Sequence, residues 1–211
     1  MKKTIALIIR IGIVIATTIG LFLQLYPNQW HQLTYYTLLS NIVVWAFFLY
    51  LLGVMRTDFD KTTSSTALLR TKGGVTIAIM LTFLVYHFML APIAKNVDFY
   101  NWKNYLLHYT SPILVILDWV LFDKRHVYKW LDPIRWTALP LLYTVFALIK
   151  GYVFQIPIPD QSHSPYPYFF VDINQIGWNG FAMYFVAILV GYMLLGYIML
   201  LVKGVQKKKA K

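Results

Sequence analysis

Six apolar runs of about 20 residues, each long enough to cross the ~30 Å hydrocarbon core of a bilayer, alternate with short polar segments along this chain. The pattern predicts helices near 4–25, 34–55, 73–94, 104–122, 135–155 and 178–202. The expected fold is all-α: a polytopic integral membrane bundle of six transmembrane helices forming a single domain over residues 1–211. The opening MKKTIALIIRIGIVIATTIG resembles a secretory signal peptide. Arg10 splits its apolar stretch and no small-x-small cleavage site follows, so it reads as an uncleaved first helix.

Polar side chains interrupt the runs at one common depth. Thr37, Ser40 and Asn41 stand early in the second run, His87 late in the third, His108 and Ser111 early in the fourth, and Lys150 late in the fifth. With alternating spans and 1.5 Å of rise per residue, Thr37, His108 and Lys150 fall roughly 6–7 Å inside one boundary, and His87 roughly 6–12 Å. Thr37, Ser40 and Asn41 are spaced i, i+3, i+4, which is one helix face. Ionisable groups at such depths are costly and mark functional sites. Taken singly, each has a bland reading: hydroxyls bond to neighbouring helices, a buried histidine donates to a carbonyl, and a lysine snorkels.

Charge orients the bundle. Of 19 Lys and Arg residues, 16 precede or enter the first span, lie between spans two and three or four and five, or form the basic tail 203–211. Only Lys95 and Lys103 belong to the other side, and Lys150 is inside a span. Basic residues collect in cytoplasmic loops, so both termini are expected in the cytoplasm of a cell-membrane protein, and the polar layer in the outer leaflet. The net charge of +11 therefore points to lipid headgroups and not to nucleic acid. Asp118 is expected to pair with Lys124, Arg125 or Arg135.

The chain has no cysteine, which excludes thiol catalysis and iron–sulfur clusters, and its eight acidic residues are all Asp. Only Asp118 falls within a span, so no metal site and no cofactor are expected. Haem held by His87 and His108 is a rival, but two-haem bundles need more histidines. The last outer loop carries four prolines and the aromatics Tyr166, Tyr168, Phe169 and Phe170, and reads either as a rigid connector or as a cap over a cavity.

A hydroxyl and an imidazole at matching depth suggest nucleophilic chemistry. Threonine attacks only when a base takes its proton, and histidine titrates near neutrality. Thr37 is then the candidate nucleophile and His108 the base, with Asp172 or Asn174 orienting it, while Ser40, Asn41, His87, Ser111 and Lys150 line the cavity. The substrate in such a place is a lipid-like ester. The alternative is a lipid or small-molecule binding or transport protein without catalysis.

The strings YYTLLSN (35–41), TFLVYHFMLAP (82–92), LLHYTSPILVILDW (106–119) and SPYPYFFVDINQIG (164–177) resemble those of a bacterial family of six-helix integral membrane proteins. That family is in turn similar to the eukaryotic androgen-induced membrane proteins, threonine hydrolases of fatty acid esters of hydroxy fatty acids. The resemblance implies a nucleophilic Thr early in the second span and a His at the start of the fourth. These positions fall on Thr37 and His108. Ser40, Asn41 and the YPYFF loop belong to the bacterial pattern alone.

Overall fold

Helices long and apolar enough to cross a membrane fill most of the computed structural model, which describes residues 1–94, 99–159 and 164–206. They are α1 (Lys2–Leu25), α2 (Tyr36–Thr57), α3 (Thr66–Ile93), α4 (Trp102–Phe122), α5 (Asp132–Phe154) and α6 (Ile173–Lys203). The protein is all-helical and multi-pass. Among the described residues there is no strand, only an isolated bridge between Tyr128 and Val205. Lys95, Asp98, Asp160 and the lysines from 207 onward lie outside the described residues.

Two helices begin a turn or more earlier than hydropathy predicts. α3 starts at Thr66 and not near 73, because the basic residues that look like a solvated loop are helical and paired. Arg70 donates from Nε to Asp132 at 2.8 Å, and the buried Lys72 Nζ contacts Asp118 and Asp123. α6 starts at Ile173 and not near 178, capped by Asp172, whose Oδ1 accepts the backbone N–H of Asn174 at 3.0 Å. A short break at Gly177, with φ 67°, separates this first turn from the long apolar run.

α1 to α4 form a closed quartet in which α1 and α3 each pack against both α2 and α4. Its middle is apolar, built on Ile13, Val44, Phe48, Leu51, Val75, Ile79 and Val115. α5 and α6 flank this quartet and are far less enclosed. Only 17% and 22% of their spans are buried, against 39% in the other four, so most of their surface faces lipid.

The start of α1, the end of α6 and the loops after α2 and α4 meet at one end of the bundle, the termini end. There α5 and α6 pack closely on α3, because glycines permit it. A Cβ on Gly73 would meet the Trp136 ring at 2.6 Å, and one on Gly196 would meet Pro133 at 2.9 Å. Tyr192 donates to the Trp136 carbonyl at 3.0 Å, and Trp136 Nε1 to the Arg70 carbonyl at 3.0 Å. These rings close a cluster with Leu69, Ile77, Trp119 and Tyr128.

The same end holds a buried charge network. Arg10 donates from Nε to Asp118 at 2.9 Å and from Nη1 to Thr62 at 2.8 Å. Lys72 bridges Asp118 and Asp123, and Lys203 donates to the carbonyls of Val120 and Asp123. The expectation that Asp118 pairs with Lys124, Arg125 or Arg135 is therefore corrected. Its partners are Arg10 and Lys72, which share its depth inside the bundle, whereas those three cations lie on the loop side.

Candidate functional site

At the opposite end, α3 and α4 depart from α-helical geometry at matching points. Residues Tyr86–Leu90 and Leu106–Thr110 each form a π-helical turn, and each is followed by a small residue and a proline, Ala91–Pro92 and Ser111–Pro112. Proline has no N–H to give, and its ring crowds the carbonyl four residues back, so the preceding turn widens. Such π turns free backbone groups and recur at functional sites. A third, Ile149–Phe154, ends α5.

The widened turn of α4 sets His108. Its Nδ1 lies 3.2 Å from the Asn104 carbonyl. A carbonyl only accepts, so Nδ1 carries the proton and Nε2 is left with its lone pair. That lone pair meets Thr37 Oγ1 at 3.1 Å. Tyr86 stacks on the other side of the imidazole, with ring centroids 3.9 Å apart. A hydroxyl, an unprotonated ring nitrogen and a fixed tautomer are thus aligned.

Thr37 is the second residue of α2, where backbone N–H groups have no helical partner. Its N–H reaches the hydroxyl of Tyr168 at 3.4 Å. Burial pushes the Tyr168 phenol up from its ordinary value, so it keeps its proton beside Thr37. The loop that brings it folds inward: Tyr166, Tyr168, Phe170 and Val171 are buried, and Tyr143, from α5, donates to the Thr34 carbonyl at 3.0 Å nearby. The proline-rich segment caps the site.

Asn41 holds the two helices in register. Its amide donates to the Thr37 carbonyl at 2.8 Å and to the Leu107 carbonyl at 3.1 Å, and its Oδ1 accepts from Ser111 at 2.6 Å. Ser40 bonds to the Thr37 carbonyl at 3.0 Å and exchanges a hydrogen bond with Thr82 on α3 at 2.7 Å. All of these polar groups are buried. Ser40, Asn41 and Ser111 position Thr37 and do not line the cavity. Asn41→Leu is expected to leave the Leu107 carbonyl and the Ser111 hydroxyl unpaired. It should cost about 2 kcal/mol, read as a lowered melting temperature in detergent.

Four expected site residues stand elsewhere. His87 is exposed, stacked on Phe83 with Nδ1 3.3 Å from the Tyr109 hydroxyl. Tyr86 takes the inward face because it stands four residues after Thr82, whereas His87 is rotated away from that stripe. Lys150 straps the last loop by donating to the carbonyls of Ile156 at 2.8 Å and Pro165 at 3.3 Å. Asp172 is occupied as the α6 cap and as acceptor from Ser164 at 2.6 Å, so it does not orient His108. Asn174 is exposed on the first turn of α6.

The Thr37–His108 pair faces two connected spaces. One, of about 340 Å³, is lined by Gln32, Tyr35, Leu107, His108 and Tyr168. It opens into a vestibule of about 600 Å³ walled by Gln24, Gln29, Gln32, Lys103 and Asn104. Behind Thr37 runs a narrow apolar cleft between α3, α5 and α6. Among the described residues no three His, Cys, Asp or Glu side chains converge as metal ligands would. No protein family, no curated protein and no solved structure matches this chain.

Proposed function

We propose that this protein is an intramembrane hydrolase of a lipid-like ester, with Thr37 as nucleophile and His108 as general base. The observation that carries this reading is the 3.1 Å contact between Thr37 Oγ1 and an Nε2 whose tautomer is set by the Asn104 carbonyl. Thr37 Oγ1 attacks the ester carbonyl as its proton passes to Nε2. The oxyanion forms beside the Thr37 N–H and the Tyr168 hydroxyl, at the positive end of α2. Collapse expels the alcohol, which takes the proton back from Nε2. A water then gives its proton to Nε2 and attacks the acyl-threonine; collapse releases the acid as Thr37 Oγ1 leaves and takes that proton back from Nε2. Supporting this reading is the resemblance of the 35–41 and 106–119 segments to a bacterial six-helix membrane family that is in turn similar to the androgen-induced threonine hydrolases.

The protein resides in the cytoplasmic membrane with both termini inside the cell, an orientation supported by the one-sided distribution of its basic residues. The site then lies in the outer leaflet, where esters such as those of hydroxy fatty acids partition. A second reading, lipid binding or transport without turnover, is favoured by one feature: among the described residues, His108 has a neutral carbonyl and no carboxylate behind it.

An activity-based fluorophosphonate probe separates the two. Covalent modification is expected on Thr37, absent in Thr37→Ala and strongly reduced in His108→Ala. A probe that leaves Thr37 unmodified in folded protein, with no ester turned over, would decide for the binding protein.

A further inference from the structure

The cleft behind Thr37 has a shape of its own. At the termini end, α5 and α6 lie hard against α3 through Gly73, Gly74 and Gly196. Toward the site, bulky side chains hold the same three helices apart, among them Tyr143, Phe181 and Phe185. The result is a wedge, open at Thr37 and closed where Tyr192 bonds to the Trp136 carbonyl. Its walls are mostly apolar, and the hydroxyls along them are turned away: Thr82 to Ser40, Tyr143 to the Thr34 carbonyl and Thr144 to the Pro140 carbonyl at 2.9 Å. A polar or charged group would find no partner there.

Resting on the ester-hydrolase reading of Thr37, we propose that this wedge is an acyl-chain site that fits a straight chain of medium length with its carbonyl carbon at Thr37. The rise along α5 from Tyr143 to Trp136 is about 10 Å and along α6 from Phe181 to Tyr192 about 16 Å, the length of an extended chain of roughly 8–12 carbons; the open space is only about 70 Å³, so the lining side chains must part to admit it. A longer chain must bend out through the apolar groove between α3 and α6, walled by Leu84, Phe88, Gly191 and Leu195. The polar half of the ester stays in the vestibule with Gln29, Gln32 and Lys103. The substrate class is therefore a medium-chain acyl ester whose alcohol half is polar, entering from the lipid phase.

Fatty acids of 6, 10 and 16 carbons carrying a diazirine at the last carbon test the site without turnover. They are photolysed on Thr37→Ala protein in lipid nanodiscs, and the labelled residues are mapped by mass spectrometry. The 6-carbon probe is expected to label near Phe185, the 10-carbon probe Leu189 and Tyr192, and the 16-carbon probe Leu84 or Leu195. Ile188→Trp fills the wedge and should cut labelling at Tyr192 at least tenfold, while the exposed Leu142 keeps its background label. Ile188→Ala, which only widens the wedge, should retain it and so controls for folding. Labels spread over Leu142 and other lipid-facing positions, unchanged by Ile188→Trp, would overturn the assignment. Should the ladder of labels appear while wild-type protein cleaves no ester, the chain site stands and the hydrolase reading falls. Ester cleavage indifferent to chain length and to Ile188→Trp overturns the chain site alone.

Discussion

His108→Ala is expected to lower hydrolysis of a medium-chain fluorogenic ester by about 10²–10⁴-fold, the range that positioned general bases contribute. Thr37 Oγ1 makes its contact with Nε2, and no other base stands at that hydroxyl among the described contacts. Without it the threonine keeps its proton, and an alcohol of ordinary acidity is a poor nucleophile. The fold should tolerate the change. His108 is only half-buried, and its single backbone bond is to the Asn104 carbonyl, within its own helix. What is lost is two hydrogen bonds, one to the Asn104 carbonyl and one from Thr37, and the stacking on Tyr86. Thr37→Ser retains the hydroxyl and the bonds of its backbone, so it should retain measurable turnover where Thr37→Ala has none. Assay in detergent beside a melting curve tells chemistry from unfolding. Activity within tenfold of wild type in His108→Ala would remove the imidazole from the mechanism.

Depth was readable from the chain, and direction was not. Thr37 and His108 share a level because alternating helices of known rise put them there. That argument places His87 and Lys150 equally well, yet neither reaches Thr37. For His87 the helical wheel holds the missing information: Thr82 faces Ser40, so the inward residue one turn later is Tyr86. Lys150 was beyond such reasoning, because the π turn at Ile149–Phe154 and the returning loop decide what its ammonium meets. Asp172 illustrates a competition that sequence does not rank. A carboxylate at a loop–helix junction is attractive as a partner for histidine, but two N–H groups of the α6 first turn and the Ser164 hydroxyl satisfy it locally. Tyr168 was legible as a capping aromatic, and its hydroxyl at the Thr37 N–H was not. The two turn–small–proline repeats, 86–92 and 106–112, are a signal in plain view that marks both walls of the site.

The same depth reasoning leads to the buried ions at the termini end, where the second large effect is expected. Asp118→Ala should destabilise the protein by about 3–5 kcal/mol, the cost of stranding a buried charge. Asp118 is fully buried, as are Arg10 and Lys72, and it contacts both. Its loss leaves Arg10, Lys72 and Lys203 facing one carboxylate, Asp123, with the lipid phase offering no water in exchange. Burial already pushes the Asp123 carboxyl up to about 6 despite the attraction of Lys72, which shows how little solvent reaches this corner. Arg10→Met combined with Asp118→Leu removes one cation together with the carboxylate and should recover much of the loss, since apolar side chains replace a buried pair with little penalty. Lys124→Ala, at an exposed position, is expected to change nothing beyond about 0.5 kcal/mol. Melting in detergent or nanodiscs orders these variants. An Asp118→Ala protein that melts with the wild type would mean that Arg10 and Lys72 find other partners. The site, ten residues from Asp118 along α4 at His108 and so roughly 15 Å away by helix rise, should keep its labelling by the fluorophosphonate in the double variant, because Asn41, Ser40 and Ser111 fix Thr37 and His108 independently of the ion network.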